Sequence, residues 1–143
     1  MEKYGATFIQ FWDDLSFAGI QQAEKMVDAI LNSGLKFNWT AAIRVDLFGH
    51  PRNSYTRRRE IAEKFKAAGC LNVGFSLESG NQEILDMMNK KIKPEYFREQ
   101  VQLMKDIGIT CSTSVVFGYP IETHETIKQT FDMCLEEIGR AHV

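Results

Sequence analysis

The chain has 143 residues, enough for one domain with a real core. It is 44% hydrophobic and 25% charged, and its formal net charge of −2 gives no electrostatic pull toward nucleic acid or an acidic membrane. No apolar run approaches the roughly 20 residues that span a bilayer, and Glu2 and Lys3 sit where a leader peptide would need a continuous apolar stretch, so a cytoplasmic protein is expected.

The first predicted strand is 6–12, ending in Asp13-Asp14, and its helix runs over about 16–33 with Phe17, Ile20, Ala23, Val27, Ile30 and Leu31 on one face. The second strand is 37–45, ending at Arg44-Val45-Asp46. Gly49 to Ser54 reads as a loop by composition. Arg57-Arg58-Arg59 opens the next helix, where three cations oppose the macrodipole and call for water or an outside acid. Ile61, Ala62, Phe65 and Ala68 form its inner face.

The third strand is the pivot. In Asn72-Val73-Gly74-Phe75-Ser76-Leu77-Glu78-Ser79-Gly80, Val73, Phe75 and Leu77 alternate with Gly74, Ser76 and Glu78, the two-residue period of a strand. A carboxylate ends it, just before a helical run over 82–88. Ser79 with Gln82 fits a capping box, and Asn81 is the rival N-cap. Pro94 suits a first helical position, and Phe97, Val101, Met104 and Ile107 give the face of the helix it opens. Met87, Met88 and Met104 are expected in the core. The fourth strand is 109–117, followed by Gly118-Tyr119-Pro120-Ile121-Glu122-Thr123 and a last helix showing Ile127, Phe131, Cys134 and Ile138 on one side.

Glycines at 34, 69, 108 and 139 each close a helical pattern, at spacings of 35, 39 and 31 residues. The chain is therefore α/β, with four consecutive βα units. Strands joined by helices of this length run parallel with right-handed crossovers, giving a segment of a (β/α) barrel or an open doubly wound sheet. Both place ligands at the carboxyl ends of the strands. Those ends carry Asp13 and Asp14, Arg44 and Asp46, Glu78 and Ser79, and Gly118 and Glu122. Ionised carboxylates there suit the amine and ribose hydroxyls of a nucleotide-like ligand, and Gly80 and Gly118 would let the backbone approach it closely. Gly74, Ser76, Ser112 and Ser114 suggest a strand face turned to a cavity.

Other chemistries leave no mark. There is no nucleophile–base spacing, Gly-x-Gly-x-x-Gly or P-loop. Cys70, Cys111 and Cys134 are far apart in sequence and read as reduced, buried small hydrophobes instead of metal ligands. His50, His124 and His142 read as surface or capping residues.

The ordered set of motifs resembles the middle of a radical S-adenosylmethionine (SAM) enzyme barrel. It most resembles the branch with an upstream cobalamin-binding domain, such as the Mg-protoporphyrin ester cyclase-like Fe–S oxidoreductases. The residues that carry it are Phe11-Trp12-Asp13-Asp14-Leu15-Ser16-Phe17, Trp39 with Arg44 and Asp46, Ala68-Gly69-Cys70, Gly74 to Gly80 with Leu85, Met88 and Lys90, Gly108-Ile109, and Gly118-Tyr119-Pro120 with Glu122-Thr123 and Thr130. The resemblance spans nearly the whole chain.

It implies that Asp13 and Asp14 contact the methionine amino group and that Glu78 contacts the ribose or carboxylate of SAM at a strand end shared with Ser79 and Gly80. Val116 to Tyr119, with Gly118, would pack the adenine, and Arg44 would meet the cofactor carboxylate or a small-molecule substrate. It also implies a 4Fe-4S cluster, for which the family uses Cys-x-x-x-Cys-x-x-Cys, and possible cobalamin held upstream. No such cysteine run occurs in these 143 residues. The expectation is a partial barrel over 1–143, strands two to five of the family, inactive alone and self-associating through its exposed barrel edges. Two other readings stand beside it: a non-catalytic α/β scaffold without a cluster, and an unrelated barrel enzyme using its acids for a divalent metal. The substrate is not legible.

Overall fold

A computed structural model describes residues 2–13, 16, 17 and 19–139. After a short 3-10 turn at Glu2–Tyr4 come β1 (Phe8–Phe11), α1 (Ile20–Ser33), β2 (Asn38–Ala42), α2 (Tyr55–Ala67), β3 (Cys70–Glu78), α3 (Gln82–Met87), α4 (Pro94–Asp106), β4 (Thr110–Val115) and α5 (His124–Glu137). The four strands form one parallel sheet in the order β1-β2-β3-β4.

That order decides between the two α/β architectures. A doubly wound sheet reverses its strand order and covers both faces. Here the order never reverses, and only one face is covered. Trp39 and Ala41 of β2 and Val73, Phe75 and Leu77 of β3 are buried, whereas Gln10, Ser76, Thr110, Ser112 and Ser114 stand open. The helices lie over the buried side. This is part of a (β/α) barrel, its polar face being the side that would line the interior.

The core is aromatic. Trp39 is fully buried, donates its indole N–H to the Ala68 carbonyl at 2.8 Å, and packs against Phe65 at 5.2 Å between centroids. Phe17 and Phe48 close on Phe65 edge-on. The three arginines opening α2 each find an acid: Arg57 meets Glu24, Arg58 meets Glu99 and Arg59 meets Glu63.

Several boundaries differ from the sequence reading. α1 starts at Ile20 instead of near 16, because the Ser16 N–H donates to the Ala42 carbonyl at 3.0 Å and ties that segment to the end of β2. β2 ends at Ala42, its ladder with β1 reaching only Ala41, although the Ile43 N–H still donates to the Gly74 carbonyl on the β3 side. The inward face of α5 is Thr130 and Met133, while Phe131 is exposed and stacked on Phe117. Met104 is in the core but Met87 is exposed, since α3 ends after a turn and a half.

Candidate functional site

β3 and β4 run in register from Asn72↔Thr110 to Ser76↔Ser114, then slip by one residue, so that Glu78 faces Val115. The slip orphans the Leu77 N–H from the ladder. Thr113 takes it: its hydroxyl accepts from Leu77 N at 3.1 Å and donates to the Phe75 carbonyl at 2.8 Å. Glu78 then adopts φ 68°, a left-handed conformation rare for a residue with a side chain, inside a three-residue turn closed by Ser79 N–H to Leu77 O at 2.9 Å. A backbone of that kind costs about 1–3 kcal/mol and is kept where the surroundings hold it. Here the Glu78 carbonyl also accepts from Val116 N at 2.9 Å, tying the β3 and β4 ends together.

The carboxylate of Glu78 ends up mostly buried, 2.8 Å from the Lys90 ammonium just beyond α3. Both line a cavity of about 640 Å³ over the open face, with Arg44, Gly74, Ser76 and Ser114. A neighbouring cavity of about 410 Å³ shares Ala42, Gly74 and Ser112 with it and carries Asp13, Trp12 and Thr40. Asp13, Arg44 and Glu78 are thus brought over one continuous polar surface. Its floor is tied by hydrogen bonds, Asn72 to Thr110 at 3.0 Å, Ser112 to Asn72 at 3.1 Å and Ser76 to Ser114 at 2.8 Å. Asp14 lies outside the described residues.

Five expected site residues line neither cavity. Ser79 is buried, 3.3 Å from the Thr130 hydroxyl of α5. Gly80 donates to that hydroxyl at 2.9 Å, and a Cβ on Gly80 would sit 2.8 Å from the Thr130 Cα. The missing side chain therefore makes room for α5. The capping box does not form either: Asn81 caps α3, accepting from Ile84 N at 3.1 Å. At Gly118 nothing crowds the Cα; glycine is there for its φ of 97°, and its N–H is taken by the Glu122 carboxylate. Val116 and Tyr119 follow β4 on the same rim but line neither cavity.

Lys90 is the residue missed among the expected ligands. The sequence marks it only as one of the residues that carry the resemblance, 12 positions beyond the strand-end acid, and that distance means nothing until α3 folds back. Arg44 is held by a buried partner: its Nε and Nη2 donate to the two Asp46 oxygens at 2.7 and 3.0 Å, and that bond lifts the guanidinium further above its ordinary range.

A cluster does not fit the described residues. No group of three or more His, Cys, Asp or Glu among them is placed to hold a metal. Burial pushes the Cys70 and Cys111 thiols up to about 12 and raises Cys134 as well, the reverse of what a thiolate ligand needs. Nor is any described helix long and apolar enough to cross a membrane.

Comparison with known proteins places this geometry. The family model described as the Radical SAM superfamily matches residues 40–134. An uncharacterized methyltransferase of Pyrococcus horikoshii is 30% identical over 128 residues, covering 90% of this chain and 26% of that protein. The anaerobic magnesium-protoporphyrin IX monomethyl ester cyclase of Rubrivivax gelatinosus is 34% identical over 77 residues, 54% of this chain and 14% of that one. Among solved structures, the cobalamin-dependent S-adenosylmethionine radical enzyme OxsB, with aqua-cobalamin and S-adenosylmethionine bound, superposes with a TM-score of 0.80 at 17% identity, over 92% of this chain and 20% of its own. The radical S-adenosylmethionine methyltransferase TsrM of Kitasatospora setae gives 0.72 at 19%, over 94% and 27%. At such identities the structures show the shared fold. The chain spans about a quarter or less of the length of these relatives.

Proposed function

Because the chain belongs to the Radical SAM superfamily, we propose that it forms the SAM-cradling part of a radical SAM enzyme acting on a small molecule. The observation that carries this is the Glu78–Lys90 pair over an open polar strand face. SAM carries an ammonium and a carboxylate on one carbon and hydroxyls on its ribose. A fixed carboxylate beside a fixed ammonium offers each of these groups its complement. Asp13, with its sequence neighbour Asp14, adds acceptors for the ammonium at the β1 end, Arg44 a cation at the β2 end, and Val116 to Tyr119 an apolar rim for the adenine. Ser79 and Gly80 support the turn from behind through Thr130.

A reduced 4Fe-4S cluster held beside SAM would supply the electron for the family's one-electron chemistry. The cluster ligands, on this reading, come from outside these 143 residues, and the chain alone is inactive. Cobalamin, bound in the OxsB and TsrM structures, would likewise be held elsewhere; no residue here is assigned to it. A cytoplasmic location agrees with three free cysteines. The rival reading is a binding module that has kept the fold without the chemistry.

The test is calorimetric titration of the chain with SAM. Binding is expected, and Glu78→Ala or Lys90→Ala should weaken it by about tenfold or more, the worth of a hydrogen bond to a charged group. Absence of SAM binding by the wild-type chain would overturn the reading. Anaerobic reconstitution with iron and sulfide then separates enzyme from module. The chain alone should form no cluster, whereas its gene product extended upstream should form one and release 5′-deoxyadenosine from SAM.

A further inference from the structure

A third cavity, of about 550 Å³, opens on the other side of Arg44, between the β2–α2 loop and the start of α1. Its walls are Arg44, Arg52 and His50, with Asp46 beneath and Gly19 and Ile20 opposite. Asp46 is almost fully buried; Arg44 binds both of its oxygens through two hydrogen bonds, and Arg52 reaches one of them, Oδ2, at 3.4 Å. One buried carboxylate thus braces two guanidiniums that are themselves largely exposed, leaving the group one positive charge in excess. Each guanidinium has five donors, and Asp46 occupies only the edge that faces it.

The histidine points the same way. The Arg52 backbone N–H donates to His50 Nδ1 at 3.0 Å, so the ring carries its proton on Nε2, and the ring is held at 4.5 Å against Tyr96. The loop beneath is rigid. Gln100 ties it twice, accepting from Phe48 N at 2.8 Å and donating to the Arg44 carbonyl at 3.1 Å, and Arg58 donates to the Phe48 carbonyl at 2.7 Å. At Gly49 any side chain would collide with the Tyr96 carbonyl, 1.8 Å from a Cβ. Across the cavity, α1 begins at Gly19 with no side-chain cap, adding its positive end to the same wall.

We propose that this cavity binds an oxyanion, a carboxylate or phosphate group of the substrate, gripped by Arg52, the outer edge of Arg44 and His50 Nε2–H. Two braced planar cations and a ring N–H match the several oxygens of such a group. The cavity leaves room for a ligand that extends beyond its charged end. That this ligand is the reaction's substrate rests on the SAM reading, since Arg44 walls both this cavity and the one that Glu78 and Lys90 line; the oxyanion site itself does not.

The test is titration of the full chain with inorganic pyrophosphate and, separately, citrate, at physiological ionic strength, which screens loose surface charge. The Arg52 and His50 side-chain resonances are followed by NMR. Saturable binding of at least one probe is expected, moving both resonances. In Arg52→Gln the dissociation constant should rise tenfold or more, with SAM affinity unchanged. Arg59→Gln, which removes an equal charge from the exposed face of α2, should leave binding intact. Stronger pyrophosphate assigns a phosphate-bearing ligand, and stronger citrate a carboxylate. No saturable binding of either probe, or equal weakening by Arg59→Gln, overturns the site. Loss of SAM binding with oxyanion binding intact would instead sink the SAM reading alone.

Discussion

At Glu78 one residue carries two separable burdens. Its backbone sits at φ 68°, and its carboxylate pairs with Lys90. Replacing it by Ala removes the carboxylate but keeps the strained backbone; replacing it by Gly removes both. Both variants lose the ion pair, so the difference between them isolates the backbone. Glu78→Gly should be more stable than Glu78→Ala by about 1 kcal/mol in urea unfolding, while both lose SAM affinity alike. Equal stability of the two would mean that the left-handed turn is not held in solution. The acid at this position was legible from the alternation of Val73, Phe75 and Leu77 and the glycine two residues on. The turn was not. It arises from a one-residue slip against β4, answered by Thr113, and a pairing slip belongs to two strands at once.

Between elements, the loop after β3 is fastened to α5, about 50 residues further along. Ser79, Gly80 and Asn81 all reach that helix, through the Thr130 hydroxyl and the Gln129 amide oxygen. The motif around Gly80 is legible as a strand end before a helix, but whether its missing side chain serves a ligand or a packing contact depends on where α5 lies. The same holds for α5 itself, whose apolar spacing singles out Phe131 while the buried stripe runs through Thr130 and Met133. The hydroxyl of Thr130 is spent on three groups, the Ser79 hydroxyl, the Gly80 N–H and the Thr126 carbonyl. Gly80→Ala should therefore destabilise by about 1–3 kcal/mol, the range for forcing an atom into a packed contact. Thermal and urea unfolding check this. SAM affinity of the fraction that folds should change little, because the added methyl points at α5. A selective loss of SAM binding at wild-type stability would return Gly80 to the ligand side.

On the scale of the whole molecule, the sheet ends on both sides in strands whose outer edges have no ladder partner among the described residues. Free edges and exposed apolar groups are what proteins ordinarily cover. Here the apolar groups lie at the carboxyl ends of both edge strands. Trp12, just after β1, is 83% exposed; Phe117, just after β4, is 41% exposed and stacked on the exposed Phe131. A second copy can cover both edges at once if β4 pairs with the partner's β1 and the reverse, closing two four-stranded sheets into an eight-stranded parallel barrel. Parallel pairing brings strand ends of like polarity together, so each Phe117 would meet a Trp12. Two copies running edge to edge through β4 alone would leave Trp12 in water. The two tryptophans make the outcome readable, since Trp39 is already fully buried and stays silent. Sedimentation should show concentration-dependent dimers, with a blue shift of tryptophan emission that Trp12→Phe abolishes and Phe117→Glu suppresses together with the dimer. Dimers without the shift would point to β4–β4 pairing, and a monomer at every concentration would show that the open edges are tolerated as they stand.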